Sequence, residues 1–406
     1  MNKRVIVIGG GAAGMLAAGT AAERGLNVAL IEKNKVLGKK LMITGKGRCN
    51  ITNACDDVET LLKNVVRNRR FLYSAFYGFD NMRTIDFFEG LGVKTKVERG
   101  ERVFPLSDKS SDVTAALRKY LIDGNVEIIR DRVDEICAED GKITGVKCKD
   151  RGFMRADSVI TATGGISYPI TGSTGDGYTF AEDLGHTIER LKPSLVPLTV
   201  NENISELCGL SLKNISIVVN DDKGKVIYKD FGEMMFAHFG LTGPVILSAS
   251  SFIENPQGCV VHIDLKPALS AKQLDERILR DFSKNMNRDL INGLNDLLPK
   301  AIIPYIVRLS EIPPHQKINS VTAASRRRLT ELIKNLEFNV TGFCPPEQAI
   351  ITSGGVSVKE INPSTMESKL VGGLFFAGEV IDVDALTGGF NLQIAFSTGR
   401  LAGLSC

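Results

Sequence analysis

Residues 4–14 read RVIVIGGGAAG, and this stretch decides the fold. A short apolar run of this kind predicts a buried parallel strand, and the glycines follow it at the spacing G-x-G-x-x-G. A helix of small residues is expected from Ala12 to Arg24, where Gly25 ends it. A second apolar strand, Val28–Ile31, then ends on Glu32. Strand, glycine turn, helix, strand and carboxylate together predict the first unit of a dinucleotide-binding α/β domain.

The glycine turn predicts contact with a pyrophosphate group. The first glycine of such a turn permits the tight bend, the second lets the backbone approach the phosphates, and the third lets helix and strand pack closely. The free N–H groups and the positive dipole end of the helix then face the phosphates. Glu32 stands where a carboxylate accepts hydrogen bonds from a ribose, and Lys33 follows it. The predicted contacts in this unit are Gly9, Gly11, Ala12, Ala13, Gly14, Glu32 and Lys33.

Two further glycine clusters complete a prediction of bound FAD. The strand 157–161 runs into Ala162 and then into Thr163, Gly164 and Gly165, where the backbone can pass close to a cofactor. Near the end of the chain, a buried strand runs into Gly378 and Glu379. The segment continues through Asp382 to Gly388, Gly389, Asn391 and Leu392, before a helix over 394–401. The start of that helix would supply positive potential where a flavin gathers charge on reduction, and Asp382 would serve the ribityl hydroxyls.

Composition excludes several other classes of protein. The chain of 406 residues carries eight cysteines without a C-x-x-C pair, which argues against a zinc site, a dithiol redox centre or a disulfide framework. No metal ion is expected. No apolar stretch approaches the roughly 18 residues of a membrane span. These features predict a reduced, cytoplasmic setting and two or three domains.

The texture of the chain predicts a nucleotide-binding domain interrupted by one insertion. We assign residues 1–191 and 342–406 to that domain and residues 192–341 to the insertion, with a helical part at about 270–325. In the first domain we expect a Gly-, Lys- and Asn-rich loop over 33–53, helices over 58–91, and strands over 126–129 and 142–148. In the insertion we expect short β-segments over 198–265, helices from Ser270 to about Leu309 with a capping box of Ser270 and Gln273, and a strand over 330–341.

Several residues are candidates for contact with a substrate. His238 lies in a glycine-bounded, turn-rich segment, and Tyr168 follows the middle glycine cluster; a structural role is the alternative for each. A second G-x-G-x-x-G unit is missing, because Gly172–Gly177 lacks a preceding strand of the right kind. NAD(P)H is therefore expected to bind transiently over the flavin. Two basic runs predict solvated helix faces, with a nucleic-acid surface as the alternative: Arg67, Arg69 and Arg70, and Arg326, Arg327 and Arg328.

These segments together resemble the BaiN/YhiN-like flavoprotein family. The resemblance rests on Gly38–Leu41, Gly45–Asn53, the run from Ala162 to His186, the segment around His238, and Met366–Lys369 through Gln393. It implies FAD, a domain like the FAD domain of glutathione reductase, and an inserted β-barrel with a small helical domain. The predicted cofactor contacts accordingly include Lys39, Lys40, Gly45, Gly47, Arg48, Cys49, Asn50 and Val133.

The activities that the resemblance implies diverge. They are reduction of conjugated double bonds in 3-oxo bile-acid intermediates, reduction of uridine in ribosomal RNA, and oxidation of aminoacetone. We predict the first: an FAD-dependent oxidoreductase that uses NAD(P)H to reduce a conjugated double bond of a steroid-like small molecule. The alternatives are an rRNA dihydrouridine synthase and an amine oxidase. His238, Tyr168 and Arg48 are the predicted donors to the enolate oxygen. The oligomeric state stays open.

Overall fold

Five parallel strands form the central sheet of this protein. The computed structural model describes residues 3–406. Neighbouring strands in the sheet follow the order Leu374–Phe376, Ser158–Thr161, Arg4–Ile8, Asn27–Glu32 and Glu127–Arg130. In the first strand, Val5 lies opposite both Ser158 and Val28. The central strands are buried, as expected of a parallel sheet that is covered on both faces. The dinucleotide-binding α/β fold is therefore confirmed.

The chain divides into two compact units. The first comprises residues 1–194 and 346–406, and the second residues 195–345; the sequence predicts these divisions at 191/192 and 341/342. Helices of the first unit are Ala12–Glu23, Lys39–Ile43, Val58–Lys63, Tyr73–Gly78, Asn81–Gly90, Ser110–Asp123, Asp176–Asp183 and Phe390–Ser405. Its antiparallel strands are Val133–Glu139 with Lys142–Cys148 and Gly152–Arg155, Thr52–Asn53 with Arg102–Pro105 and Thr95–Glu98, Ile188–Ser194 with Ile351–Val356, and Val65–Arg67 with Asp384–Ala385.

The second unit is built on a closed barrel of six antiparallel strands. Around the barrel the order is Leu198–Val200, Gly240–Thr242, Val226–Ala237, Ser211–Asn220, Val260–Asp264 and Leu336–Phe343. The rings of Phe236 and Phe338 meet edge to face inside it, with centroids 5.5 Å apart. Its helices are Pro244–Ser250, Ala271–Lys284, Leu290–Gly293, Ile303–Ser310 and Ala323–Lys334. The predicted capping box of Ser270 and Gln273 is present.

Some predicted elements are wrong. The strand expected over 330–341 begins only at Leu336, because Thr322 caps a helix that runs to Lys334 and buries Leu329 and Ile333 one turn apart. Within 33–53, the loop contains the short helix Lys39–Ile43.

The helical region expected over 58–91 is interrupted by a strand. Val65–Arg67 pairs there with Asp384–Ala385, a partner about 320 residues away that no local pattern indicates. The C-terminal helix is longer than predicted and spans Phe390–Ser405. Among residues 3–406, no helix is both long enough and apolar enough to cross a membrane.

Candidate functional site

The first glycine turn combines two crowded positions with one open position. Gly9 has a φ of +103°, and a Cβ added there would lie 2.5 Å from the carbonyl oxygen of Ala162. A Cβ on Gly14 would lie 1.9 Å from the carbonyl oxygen of Gly9, whereas one on Gly11 would meet no heavy atom within 4 Å. Gly9 and Gly14 are therefore required by the protein's own backbone. Gly11 faces space, which fits the close approach of a pyrophosphate.

The helix that follows this turn has a free N-terminus. Gly11 is the N-cap of Ala12–Glu23, and within residues 3–406 no side chain caps the helix. The Glu32 carboxylate is held beside the turn, because Gly10 N and Asn34 N each donate to it over 2.7 Å. A carboxylate oxygen has capacity for further donors, so Glu32 can still accept from a ribose. This arrangement fits the adenosine diphosphate part of FAD.

The end of the Lys/Asn loop packs against the C-terminal glycine pair. A Cβ on Gly389 would lie 2.4 Å from the backbone of Thr52, and Asn53 Nδ2 donates to the Gly388 carbonyl over 3.2 Å. Thr52 Oγ1 also donates to Gln393 over 2.5 Å. The helix Phe390–Ser405, which starts here, has neither a capping side chain nor an acidic residue in its first turn. Two regions more than 330 residues apart thus form one wall with a positive helix end.

The Lys/Asn loop holds an unusual backbone. Gly45, Lys46, Gly47 and Cys49 all have positive φ angles between 58° and 84°. The left-handed region is unfavourable for Lys46 and Cys49, and residues held there concentrate at ligand sites. The next residue, Asn50, has a buried Oδ1 with no hydrogen-bond partner among residues 3–406. An acceptor without a partner fits the polar edge of a cofactor.

Thr163, in the middle glycine cluster, also has a buried side-chain oxygen, Oγ1, without a hydrogen-bond partner within the described chain. In the same cluster, a Cβ on Gly165 would lie 2.4 Å from Thr352 Oγ1. Cys49 is inert by contrast, because burial raises the pKa of its thiol to about 12. A role for Cys49 at the site is therefore one of backbone geometry.

The predicted lysines are already paired with protein groups. Lys40 Nζ lies 2.6 Å from Glu379, whose other oxygen accepts from Thr352 N over 2.9 Å. Lys33 Nζ lies 2.6 Å from Asp176. Lys39 Nζ donates to the Ile170 carbonyl over 2.5 Å. These lysines fasten segments of the site to one another.

Asp382 and Asn391 also bind protein groups. The buried Asp382 carboxylate accepts from Arg67 Nε over 2.5 Å and from Asn68 Nδ2 over 2.8 Å. The Asn391 side chain exchanges two hydrogen bonds with the Ala385 backbone. Both residues brace the chain between Gly378 and the C-terminal helix. Sequence reasoning missed the partners Asn34, Asn68 and Thr352, and no spacing in the sequence links them to the site.

The remaining predicted cofactor contacts lie in the same unit as the glycine turn. Gly378 and Ala13 are in close contact, since a Cβ on Gly378 would lie 2.8 Å from Ala13 Cβ. This contact joins the first and last glycine clusters. Val133 is buried at the start of its strand, Leu392 is half-buried in the C-terminal helix, and Gly164 has a φ of +74°.

The structure does not bring the three catalytic candidates together in one unit. Arg48 donates to Glu98 over 3.2 Å and to Asp108 over 2.8 Å, and its guanidinium lies 4.1 Å from the centre of the Phe104 ring. These carboxylates raise the pKa of Arg48. Tyr168 has a φ of +53° and lies in the same unit. His238 is exposed in the second unit, in the turn between Val226–Ala237 and Gly240–Thr242.

Half of the arginines in the basic runs are paired with carboxylates of the protein. Arg67 binds Asp382, Arg326 Nε lies 2.7 Å from Asp275, and Arg328 lies 2.7 Å from Glu311. The other members, Arg69, Arg70 and Arg327, are exposed.

Comparisons with known proteins show the family of this chain. The HI0933-like protein Rossmann domain matches residues 3–405. A 3-dehydro-bile acid delta(4,6)-reductase of Clostridium scindens is 30% identical over 98% of both chains. A ribosomal RNA dihydrouridine synthase of Haemophilus influenzae is 29% identical over 98% of this chain and 97% of its own.

Solved structures support the fold alone. A 3-ketosteroid delta1-dehydrogenase of Sterolibacterium denitrificans covers 98% of both chains with a TM-score of 0.54 at 13% identity. Because the family model spans nearly the whole chain, this protein belongs to the HI0933-like family of FAD-dependent oxidoreductases.

Proposed function

We propose that this protein uses NAD(P)H to reduce a conjugated carbon–carbon double bond of a small 3-oxo substrate, best represented by a 3-oxo-diene bile acid or steroid. Dihydrouridine is uridine with its ring double bond reduced, so the names of both kinds of relative describe reduction of a double bond conjugated to a carbonyl. The reaction type therefore has support from both, and the substrate class separates them.

The pairing of the arginines is the observation that favours a small molecule. An RNA substrate requires cations that are free to contact phosphates. Arg67, Arg326 and Arg328 are instead bound to carboxylates of the protein. Half of the predicted phosphate contacts are thus engaged.

The residues of the site divide the work of cofactor binding. Bound FAD would supply two-electron redox chemistry between NAD(P)H and the substrate. The turn at Gly11 would hold the pyrophosphate and Glu32 the ribose. The uncapped start of Phe390–Ser405 would stabilise negative charge at the site.

Reduction of an enone also needs a donor for the developing enolate oxygen. Of the three candidates, His238 and Tyr168 bear side chains without a carboxylate partner among residues 3–406, whereas Arg48 is bound by two. We assign this role to His238, with Tyr168 as the alternative.

Ribosomal RNA is the second candidate substrate. Arg69, Arg70 and Arg327 are exposed, and two dihydrouridine synthases, of Haemophilus influenzae and Escherichia coli, are each 29% identical. Binding of RNA would weaken steeply as salt rises, while binding of a steroid would not.

Anaerobic stopped-flow spectroscopy tests the proposal. The FAD-loaded protein is reduced with NADH or NADPH and then mixed separately with a 3-oxo-diene steroid, a uridine-containing rRNA fragment, or oxygen. Fast reoxidation by the steroid is the expected result. Reoxidation by RNA alone would assign the second candidate, and reoxidation by oxygen alone would overturn the reductase assignment. A flavin that NAD(P)H never bleaches would overturn it as well.

His238→Ala separates the two half-reactions. We expect reoxidation by substrate to slow by roughly 10²–10⁴-fold, the usual contribution of general acid catalysis, while reduction by NAD(P)H stays nearly unchanged. His315→Ala is a matched control, because His315 lies in the same unit with its side chain 82% exposed. Equal slowing of both half-reactions, or of neither, would remove His238 from this role.

A further inference from the structure

Asp384 is a buried carboxyl group that joins three segments of the first unit. It is 1% exposed and lies in the strand Asp384–Ala385, beside Val65–Arg67. Ser194 Oγ donates to its Oδ2 over 3.2 Å, and Ser353 Oγ donates to its Oδ1 over 3.2 Å. Each oxygen of the carboxyl group therefore holds a different strand.

Those two strands carry the chain out of the first unit and back into it. Ile188–Ser194 ends where the first unit ends, and Ile351–Val356 follows the return of the chain at residue 346. We call this antiparallel pair the crossover pair. Lys192 lies opposite Ser353 and Ser194 opposite Ile351, so the two serines are diagonal neighbours. Asp384 binds the crossover pair through both hydroxyl groups.

On its other side, Asp384 belongs to the segment 380–391, which leads to the C-terminal glycine pair. A Cβ on Gly355 of the crossover pair would lie 2.6 Å from the Val380 carbonyl oxygen. Asn391 then closes the segment by its two hydrogen bonds with Ala385. The segment is thus packed on the crossover pair at one end and leads into the uncapped helix Phe390–Ser405 at the other.

The charge of Asp384 opposes this packing. Burial raises the pKa of its carboxyl group to about 6, against the hydroxyls of Ser194 and Ser353 and the positive charges of Lys192 and Arg67. Asp382, two residues away, is a second carboxylate, and Arg67 and Asn68 bind it. From Ile351–Val356, the uncharged Ser353 donates to Asp384. The packed segment therefore favours the protonated carboxyl group.

We propose that Asp384 is a positioning residue that holds the segment 380–391 on the crossover pair, so that its protonation closes the segment and its ionisation loosens it, together with the FAD site that the segment completes. The inference rests on flavin binding by this family and on no particular substrate.

The sign of the effect follows from linkage. An opened, solvated carboxyl group would titrate near its usual value of 3.8, below that of the packed group. Opening therefore becomes easier as pH rises between these two values and levels off above the higher one. With a carboxyl pKa of about 4 in the open state and about 6 in the packed state, we expect the equilibrium constant for opening to be roughly tenfold larger at pH 8 than at pH 5.

Hydrogen exchange of the full-length apoprotein tests this directly. Exchange of peptides covering 380–391 is measured at pH 5 and pH 8 and corrected for the intrinsic rates. The wild-type segment should open about tenfold more at pH 8, whereas Asp384→Asn should remove this dependence. The FAD dissociation constant, measured by flavin fluorescence, should follow the same pattern.

Two further variants make the test specific. Ser194→Ala combined with Ser353→Ala should increase opening at both pH values, and more at pH 8, because the ionised form most needs the two donors. Asp281→Asn alters another buried carboxylate, in the second unit, and should leave the segment unchanged. The inference is overturned if opening of the wild-type segment is independent of pH, or if Asp384→Asn keeps the wild-type dependence. Neither measurement uses a substrate, so failure of the steroid assay leaves this test intact.

Discussion

The three glycines of the first turn serve different purposes. At Gly9 and Gly14 an added Cβ would collide with the protein's own carbonyl oxygens, at 2.5 Å and 1.9 Å. At Gly11 the protein leaves room, and the backbone is extended with an ordinary φ of −80°. A Cβ at Gly11 would therefore compete with a ligand, while no heavy atom of the fold lies within 4 Å of it.

This difference predicts separate effects on binding and on stability. Gly11→Val should weaken FAD binding at least tenfold, about 1.4 kcal/mol, while the melting temperature of the apoprotein stays close to wild type. Gly14→Ala, its matched control, should lower that melting temperature, because the backbone of Gly9 must move. Titration with FAD and thermal melting check both variants. If Gly11→Val bound FAD as the wild type does, the pyrophosphate would have to lie elsewhere.

Polar residues of the predicted site have protein partners that the sequence does not indicate. Asp382 and Asn391 stand in the segment where the sequence predicts them, yet each is bound to protein groups. Arg67 was predicted as a solvated residue or a phosphate contact, and it holds a buried carboxylate 315 residues away. A side chain's partner depends on which segments meet, and a local pattern carries no such information.

At the scale of elements, two helices meet through small residues. Phe390–Ser405 lies against Ala12–Glu23, and a Cβ on Gly399 would be 2.4 Å from the carbonyl oxygen of Ala13. A Cβ on Gly403 would be 2.5 Å from that of Ala17. The C-terminal helix therefore packs closely on the first turns of Ala12–Glu23, next to the turn at Gly11.

Gly399→Ala should therefore separate the two helices. We expect a loss of about 1–3 kcal/mol in the free energy of unfolding, as for other overpacked sites, together with weaker FAD binding. Gly90→Ala is the control, because it lies in a helix and an added Cβ there meets nothing within 4 Å. That change should be neutral or stabilising by up to about 1 kcal/mol. Chemical denaturation measures both; equal stability of the two variants would contradict a tight helix contact.

At the scale of the whole molecule, each unit has its own hydrophobic core. One core cluster contains residues of 5–181 and 356–406, and the other contains residues of 198–340. The proposed FAD contacts all belong to the first unit. Ligand binding stabilises the unit that holds the ligand, by about 2.7 kcal/mol at a hundredfold excess over the dissociation constant.

Calorimetry of the full chain should accordingly resolve two transitions. Saturating FAD should raise the temperature of one transition and leave the other in place, and Gly11→Val should abolish that shift. FMN at the same concentration is the control, because it carries the flavin ring and lacks the adenosine diphosphate part that the turn at Gly11 would bind. A single transition that moves as a whole with FAD would mean that the two cores unfold together.

Local sequence patterns are enough to predict the dinucleotide-binding unit, the cofactor class and the existence of an insertion. These follow from short-range features: a buried strand, glycines at fixed spacing, a helix of small residues and a carboxylate at Glu32, all within one stretch of about 30 residues. The capping box of Ser270 and Gln273 is equally local, and it was predicted correctly.

Tertiary structure decided the rest, because it depends on contacts between distant segments. The strand Val65–Arg67 exists through its pairing with Asp384–Ala385, and the start of the C-terminal helix is shaped by Thr52. The helix Ala323–Lys334 ends just before Leu336, which is the first residue of the last barrel strand. Burial of Asp384 against the crossover pair likewise has no signature in its own neighbourhood, since desolvation arises only when distant segments pack on it.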